Sequence, residues 1–231
     1  MKLKEIIPLS PIDKTGWPWN EETDPSVYDS SIQWPRITIV TPTYNQGQFI
    51  EETIRSILLQ NYPNLEYIIM DGGSTDDTVE IIKKYEPWIS YWVSEKDKGQ
   101  SDAINKGSAR ATGEIFNWIN SDDCLTKGAL KLVAGRFLDP DTLSLCGYAL
   151  VHLEGAAKSD SLFRTRLPGA DLSTYLATCS FAQPQTSTAA VSTRADTGSR
   201  RGETANFTRA GFEKKLNAAP AGRSEWLIVA R

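Results

Sequence analysis

Carboxylates and small polar residues gather at four places in the first 125 residues of this 231-residue chain. Thr41-Pro42-Thr43-Tyr44-Asn45 is the first and Asp71-Gly72-Gly73-Ser74-Thr75-Asp76-Asp77-Thr78 the second. Ser94-Glu95-Lys96-Asp97-Lys98-Gly99-Gln100 and Asn120-Ser121-Asp122-Asp123 follow. Brought to one place, such carboxylates repel one another unless a cation or hydrogen-bond donors compensate. Hard oxygen ligands beside a phosphate-sized gap suit Mg2+ or Mn2+ held partly through a substrate's phosphates.

Each cluster also has a plainer use. Asp-Gly-Gly-Ser is turn chemistry, and Asp122 and Asp123 suit the cap of a following helix. Asp102 and Lys106, at i and i+4, suit a surface ion pair. Tyr44 and Trp118 read first as packing residues, and His152, the single histidine, as structural.

The elements that must position the clusters alternate between strand and helix. Arg36 to Thr41 is short and β-branched, as a buried strand requires. Gln48 to Gln60 sets Ile50, Ile54, Ile57 and Leu58 at helical spacing, with Glu51 and Arg55 paired on the outside. Leu65 to Met70 is a second strand, and Ser74 is the expected N-cap of a helix running through Tyr85. A third strand covers about Ile89 to Ser94 and a short helix Ser101 to Arg110. Gly113 turns the chain into a fourth strand, Glu114 to Asn120, and Leu130, Val133, Ala134 and Phe137 mark the next helix. This order predicts an α/β fold, a Rossmann-like, mostly parallel sheet flanked by helices. Ligands of such sheets bind beyond the carboxyl ends of the strands, where all four clusters stand.

Composition bounds the possibilities. Hydrophobic residues make up 40% and charged residues 23%, the balance of a globular chain. No apolar run approaches the roughly 20 residues of a membrane span, and Pro8 and Pro11 interrupt any signal-like stretch. Cys124, Cys146 and Cys179 lack C-x-x-C spacing and read as reduced cytoplasmic thiols, neither a disulfide framework nor a zinc site. Residues 1–186 carry 17 Lys+Arg against 25 Asp+Glu, whereas 187–231 carry 8 against 4. An acidic body argues against nucleic acid as a partner.

The four motifs, in this order, resemble those of family 2 glycosyltransferases with the A-type fold. The likeness runs from about Ile37 to Leu130 and includes Asp97-Lys98-Gly99-Gln100-Ser101-Asp102-Ala103-Ile104-Asn105-Lys106-Gly107. Gly16 to Asn20 looks like the N-terminal extension of one bacterial subgroup. The resemblance implies an inverting transfer of sugar from a nucleotide diphosphate-sugar, UDP-linked above all, to a glycan or lipid-linked acceptor. It implies work on cell-surface polysaccharide at the cytoplasmic side of a membrane, with the protein peripheral to it. Thr41, Pro42 and Tyr44 would line the nucleotide pocket, and Asp71 would hydrogen-bond the base. Asp97, Lys98 and Gly99 would border the ribose and diphosphate, and Asn105 would also bind the nucleotide. Asp122 and Asp123 would hold a divalent cation, Mn2+ or Mg2+, with the neutral Asn120 where an aspartate often stands.

The chain divides into an irregular extension (1–35, with tryptophan anchors), a nucleotide-sugar-binding unit (36–150), the start of an acceptor side (151–186) and an anomalous tail (187–231). The likeness survives through Cys179 to Thr186 and stops where an aromatic-aromatic-Arg-Arg run belongs. Ser187-Thr188-Ala189-Ala190 stands there instead. Codons TCT-ACC-GCC-GC, preceded by T and read one base earlier, give Phe-Tyr-Arg-Arg. A frameshift near codon 186 would thus explain the tail's composition, and the coding DNA tests that hypothesis. Much of the tail is expected to be irregular. Glu225, beside Trp226, is the candidate catalytic base, ahead of Glu203 and Glu213. Two rival readings are a nucleotide-binding remnant without a base and a nucleotidyltransferase. The latter is disfavoured because no Gly-rich loop follows the first strand.

Overall fold

The computed structural model describes residues 2–139 and, beyond them, the strands 142–150, 191–194 and 223–230. The strand β1 (Ile37–Thr43) is buried at every position. It pairs in parallel with β2 (Leu65–Asp71) on one side and β4 (Ile115–Trp118) on the other. The strand β3 (Tyr91–Ser94) adds to β2, again in parallel. Covered on both faces, β1 and β2 read as near-continuous runs rich in β-branched and apolar residues, unlike the partly exposed edge strand β3.

Three helices follow these strands and cover both faces. The helices α1 (Ile50–Leu58) and α2 (Thr78–Tyr85) pack Ile54, Ile57, Ile82 and Tyr85 against Ile37, Ile39, Tyr67 and Ile69. On the opposite face α3 (Gln100–Arg110) sets Ala103 against Val40, Ile68 and Met70. A Cβ at Gly107 would lie 2.5 Å from Val40 Cγ1, so only glycine lets α3 come this close to β1. A two-residue strand β5 (Cys124–Leu125) precedes α4 (Ala129–Phe137), which buries Leu130, Val133, Ala134 and Phe137 as their spacing predicts.

Beyond β4 the sheet continues through β6 (Thr142–Leu150), β7 (Val191–Arg194) and β8 (Arg223–Ala230), in the overall order β3-β2-β1-β4-β7-β6-β8-β5. Pairing stays parallel between β6 and β8 and is antiparallel around β7 and β5. Two stretches of the basic tail, 191–194 and 223–230, are strands, and the rest of the tail, on which the expectation of irregular chain falls, lies outside the described residues. Trp226-Leu227-Ile228-Val229 has the β-branched and aromatic content a sheet accepts. His152, Cys179 and Gln183 to Thr186 lie outside the described residues.

Residues 2–35 contain only 3-10 turns, at Leu3–Glu5 and Pro25–Val27, and otherwise run irregularly over the body. Trp19 and Trp34 are buried, and Tyr28, Trp34 and Tyr62 meet edge to face with centroids 5.4–6.4 Å apart. One expectation fails here. Arg55 is not an outside partner of Glu51 but is 1% exposed. Its guanidinium donates to Pro8 O (2.8 Å), Ser10 Oγ (2.9 Å), Pro18 O (3.1 Å), Trp19 O (2.6 Å) and Tyr85 OH (3.0 Å). The extension lies over that face of α1, and its backbone carbonyls replace water around the cation. Glu51 instead accepts from Tyr85 OH at 2.8 Å. Among the described residues no helix is long and apolar enough to cross a membrane.

Candidate functional site

With β1 to β4 parallel, the four polar clusters stand along one rim, and hydrogen bonds join them in sequence. The loops after β1 and β2 are stitched together. Asn45 takes a left-handed φ of 51°, a conformation that asparagine tolerates. Its N–H donates to Ser74 Oγ (2.8 Å), and its Oδ1 accepts from Thr75 N–H (2.8 Å). Gly47 N–H reaches Asp76 Oδ2 at 2.9 Å and Gln46 N–H reaches Thr78 Oγ1 at 2.9 Å. Asp76 also accepts from Thr78 N–H at the start of α2, so the expected N-cap, Ser74, is displaced from that task. Ser74 turns back to Asp71, where the strand needs a donor more than the helix does.

The pocket residues expected on β1 and β2 differ in exposure. Thr41 is fully buried and accepts from Tyr67 OH at 3.1 Å. Pro42 is buried as well, whereas Tyr44 is 58% exposed and opens onto the rim, not into the core. Asp71 is 2% exposed, and its carboxylate accepts Gly73 N–H (3.2 Å), Ser74 N–H (2.9 Å) and the hydroxyls of Ser74 and Ser94.

The loop after β3 runs across the rim toward β4. Asp97 Oδ1 accepts Gly99 N–H at 2.8 Å, and Gly99 has a φ of 107° that favours glycine. Asp102 accepts Lys98 N–H at 3.1 Å and pairs with Lys106 at 3.3 Å, so the i, i+4 ion pair is present. The Lys98 N–H, with Lys106, holds the Asp102 carboxyl below its ordinary range. Asn105 lies half-buried in the second turn of α3. Gln100 Nε2 then donates to Asn120 Oδ1 at 2.5 Å, across to the turn after β4.

That turn carries Asp122 and Asp123. Asp123 N–H donates to Asn120 O at 3.1 Å, and Asn120 Nδ2 donates to Asp123 Oδ2 at 3.2 Å. Neither aspartate caps α4, whose N-cap is Gly128. The turn is held from below by residues of α1 and of the turn that ends it, which sequence reasoning missed. Thr53 Oγ1 reaches Ser121 O (2.9 Å) and Asp123 O (2.7 Å), Ser56 Oγ accepts Leu125 N–H (3.1 Å), and Gln60 Nε2 donates to Thr126 O (2.9 Å). All three are at most 1% exposed. Their signal was a polar stripe at i, i+3 and i+7 alongside the apolar one. The extension braces the far side: Trp17 Nε1 donates to Leu125 O (2.7 Å) and Gly128 N–H to Thr23 Oγ1 (3.1 Å).

Among the described residues no three His, Cys, Asp or Glu side chains converge as a self-sufficient metal site. Two adjacent carboxylates on a braced turn, Asp123 5% exposed and Asp122 half-buried, fit a hard cation that takes its other ligands from phosphates and water. Glu225 sits elsewhere. It is inside β8 opposite Leu145, one rung past the level of Phe116 and below the end of β4. With β7 and β6 between, β8 lies about 14 Å from β4 at the usual interstrand spacing.

Comparison with known proteins finds similar chains among glycosyltransferases. The chain is 34% identical over 125 residues to the putative teichuronic acid biosynthesis glycosyltransferase TuaG of Bacillus subtilis, covering 52% of this chain and 50% of that protein. It is also 34% identical over 125 residues to the GalNAc(5)-diNAcBac-PP-undecaprenol beta-1,3-glucosyltransferase of Campylobacter jejuni, covering 52% and 40%. A solved structure of TarS 1-349 from S. aureus in complex with UDP-GlcNAc aligns at 25% identity and a TM-score of 0.48, covering 56% of this chain and 38% of that one. The chain thus spans half or less of the length of these relatives. The sequence profile described as Glycosyl transferase family 2 matches residues 38–168, more than half of the chain, and the protein belongs to that family.

Proposed function

We propose that the rim binds a nucleoside diphosphate-sugar, UDP-linked, and that the enzyme transfers the sugar with inversion to a glycan or lipid-linked acceptor. The observation that carries this reading is the Gln100–Asn120–Asp123 relay, which joins the loop after β3 to the aspartate turn in one continuous surface. Along it Thr41, Pro42 and Tyr44 would wall the nucleotide, and Asp97, Lys98, Gly99 and Asn105 would border ribose and diphosphate. Asp122 and Asp123 would hold Mn2+ or Mg2+. When bound, such a cation offsets the charge that develops on a departing diphosphate. The chain's own task is to fix both carboxylates toward that leaving group, and the Thr53 brace supports this. A carboxylate on the opposite face takes the acceptor hydroxyl's proton, a role for which Glu225 is the candidate. The names of the B. subtilis and C. jejuni relatives, one of teichuronic acid biosynthesis and one with a PP-undecaprenol acceptor, support a glycan or lipid-linked acceptor; a place at the cytoplasmic face of a membrane is part of the same proposal.

The mid-strand position of Glu225 favours a second reading, a donor half that binds nucleotide without transferring sugar. A thermal-shift panel of UDP, GDP, dTDP and CDP, with and without Mn2+, tests the shared part of both. A metal-dependent rise for one nucleotide, equivalent to about 2.7 kcal/mol at a hundred times Kd, should vanish in an Asp122→Ala/Asp123→Ala variant. No rise with any nucleotide would end both readings. Nucleoside diphosphate release from the sugar donor in the presence of acceptor then separates transfer from binding.

A further inference from the structure

The run Gly16-Trp17-Pro18-Trp19-Asn20 forms a closed turn fixed to the body. Trp19 N–H and Asn20 N–H donate to Gly16 O at 2.7 and 3.0 Å, and Gly16 N–H donates to Asn20 Oδ1 at 2.8 Å. Gly16 has a φ of 81°, a left-handed conformation that favours glycine. The buried Arg55 guanidinium fastens the turn to α1, donating to Pro18 O at 3.1 Å and to Trp19 O at 2.6 Å. Its planar, rigid fork of donors fixes the turn in direction as well as in place. Trp17 projects from this mount. Its ring lies partly buried against the main core, and its Nε1–H donates to Leu125 O at 2.7 Å.

Leu125 stands two residues after Asp123, and donors from two sides hold the backbone between them. Thr53 Oγ1 donates to Asp123 O, Leu125 N–H donates to Ser56 Oγ, and the Trp17 indole takes Leu125 O. Helix α1 thus reaches the aspartate turn by two routes. One is direct, through Thr53 and Ser56, and the other leads out through Arg55 and the Gly16–Asn20 turn to Trp17. Groups that stand behind metal ligands and fix their orientation contribute measurably to metal affinity. We propose that Trp17 is a positioning residue for the aspartate turn: its indole N–H, acting through Leu125 O, sets how tightly Asp122 and Asp123 hold a divalent cation. This rests on the donor-site reading above. The extension's other ties have a different task. Thr23 Oγ1 accepts Gly128 N–H at 3.1 Å, and Glu21 pairs with Lys127 at 2.9 Å, so both secure the start of α4, five and four residues past Asp123.

Calorimetric titration of the full chain with UDP and with GDP, at a series of fixed Mn2+ concentrations, separates metal affinity from nucleotide affinity. Trp17→Phe should raise the Mn2+ concentration for half-maximal nucleotide binding about three- to tenfold, with the affinity at saturating Mn2+ close to wild type. Trp17→benzothienylalanine, which keeps the shape and puts sulfur in place of the N–H, should do the same even if Phe packs too loosely to fold. Thr23→Val should lower the melting temperature and leave the Mn2+ requirement where it was. An unchanged requirement in the benzothienylalanine protein overturns the proposal. So does an equal rise in Thr23→Val, which would assign the effect to general loosening of the extension. If the Trp17 variants weaken binding equally at every Mn2+ level, Trp17 supports the site as a whole and the proposal also falls. A wild type that binds nucleotide equally with and without Mn2+ overturns it while the nucleotide site stands. A wild type that binds neither nucleotide ends the donor-site reading itself, and the proposal with it.

Discussion

The hydroxyl of Thr53 lies 2.7 Å from the carbonyl of Asp123, so the second turn of α1 fixes the backbone that presents both rim aspartates. Thr53→Val keeps the shape and leaves that carbonyl and the one of Ser121 without the donor. Stability should fall by about 1–3 kcal/mol, and the Mn2+ concentration needed for nucleotide binding should rise. Denaturant melts and a metal titration check the pair of effects. An unchanged metal requirement would mean that the brace is purely structural.

Arg55 should behave as a buried clasp. Arg55→Met removes the charge and leaves acceptors from Pro8, Ser10, Pro18, Trp19 and Tyr85 unmet. A buried neutral acceptor left without its donor costs about 1–3 kcal/mol, so the loss should be at least of that order. Guanidinium unfolding measures it, and a loss under 1 kcal/mol would refute the clasp.

Glu66 is a second buried charge, at the opposite end of the sheet from the rim. Burial raises the pKa of its carboxyl. The Thr112 N–H, the Thr38 and Thr112 hydroxyls and Arg36 lower it by more, so the net direction is down. A carboxyl held below its unfolded value contributes stability that is complete above the ordinary glutamate range. That contribution is lost as pH falls through the lowered pKa. The acid limb of the stability curve, below about pH 4.5, should therefore flatten in Glu66→Gln. An unaltered limb would show that Glu66 has no such share.

Cys124 should be chemically quiet. Burial pushes its thiol up to about 12, against smaller opposing hydrogen bonds from Ser56 and Trp17. At pH 8 an alkylating reagent meets almost no thiolate there. Peptide mapping after native labelling should find Cys124 unmodified, and after labelling in guanidinium should find it modified. Fast native labelling would contradict this packing.

Much of the frame was legible because local rules set it. The β-branched run of β1, the spacing of Ile50, Ile54 and Ile57, and the spacing of Leu130, Val133 and Phe137 each need only their own element's period. The site was legible as a place, since parallel strands send every loop to one rim. Its internal division of labour was not. Asn45, Ser74, Asp76 and Thr78 spend their polar atoms on joining loops to one another, which motif spacing alone cannot separate from ligand contact. Arg55 misled for a related reason. An i, i+4 acid-base pair is the local reading, and the carbonyls that displaced Glu51 come from residues more than 35 positions away. The pairing of β5 with β8 is longer-range still.

The N-terminal extension has a practical consequence for how this protein is cut. Homology to the family profile begins at residue 38, and a designer following it would start a fragment there. Four of the five groups that receive the Arg55 guanidinium lie ahead of that point, as does the indole that holds Leu125 beside the rim aspartates. Such a fragment would keep every signature motif and lose the clamp around them. The smallest piece that folds and the region that alignment recognises are different lengths of chain.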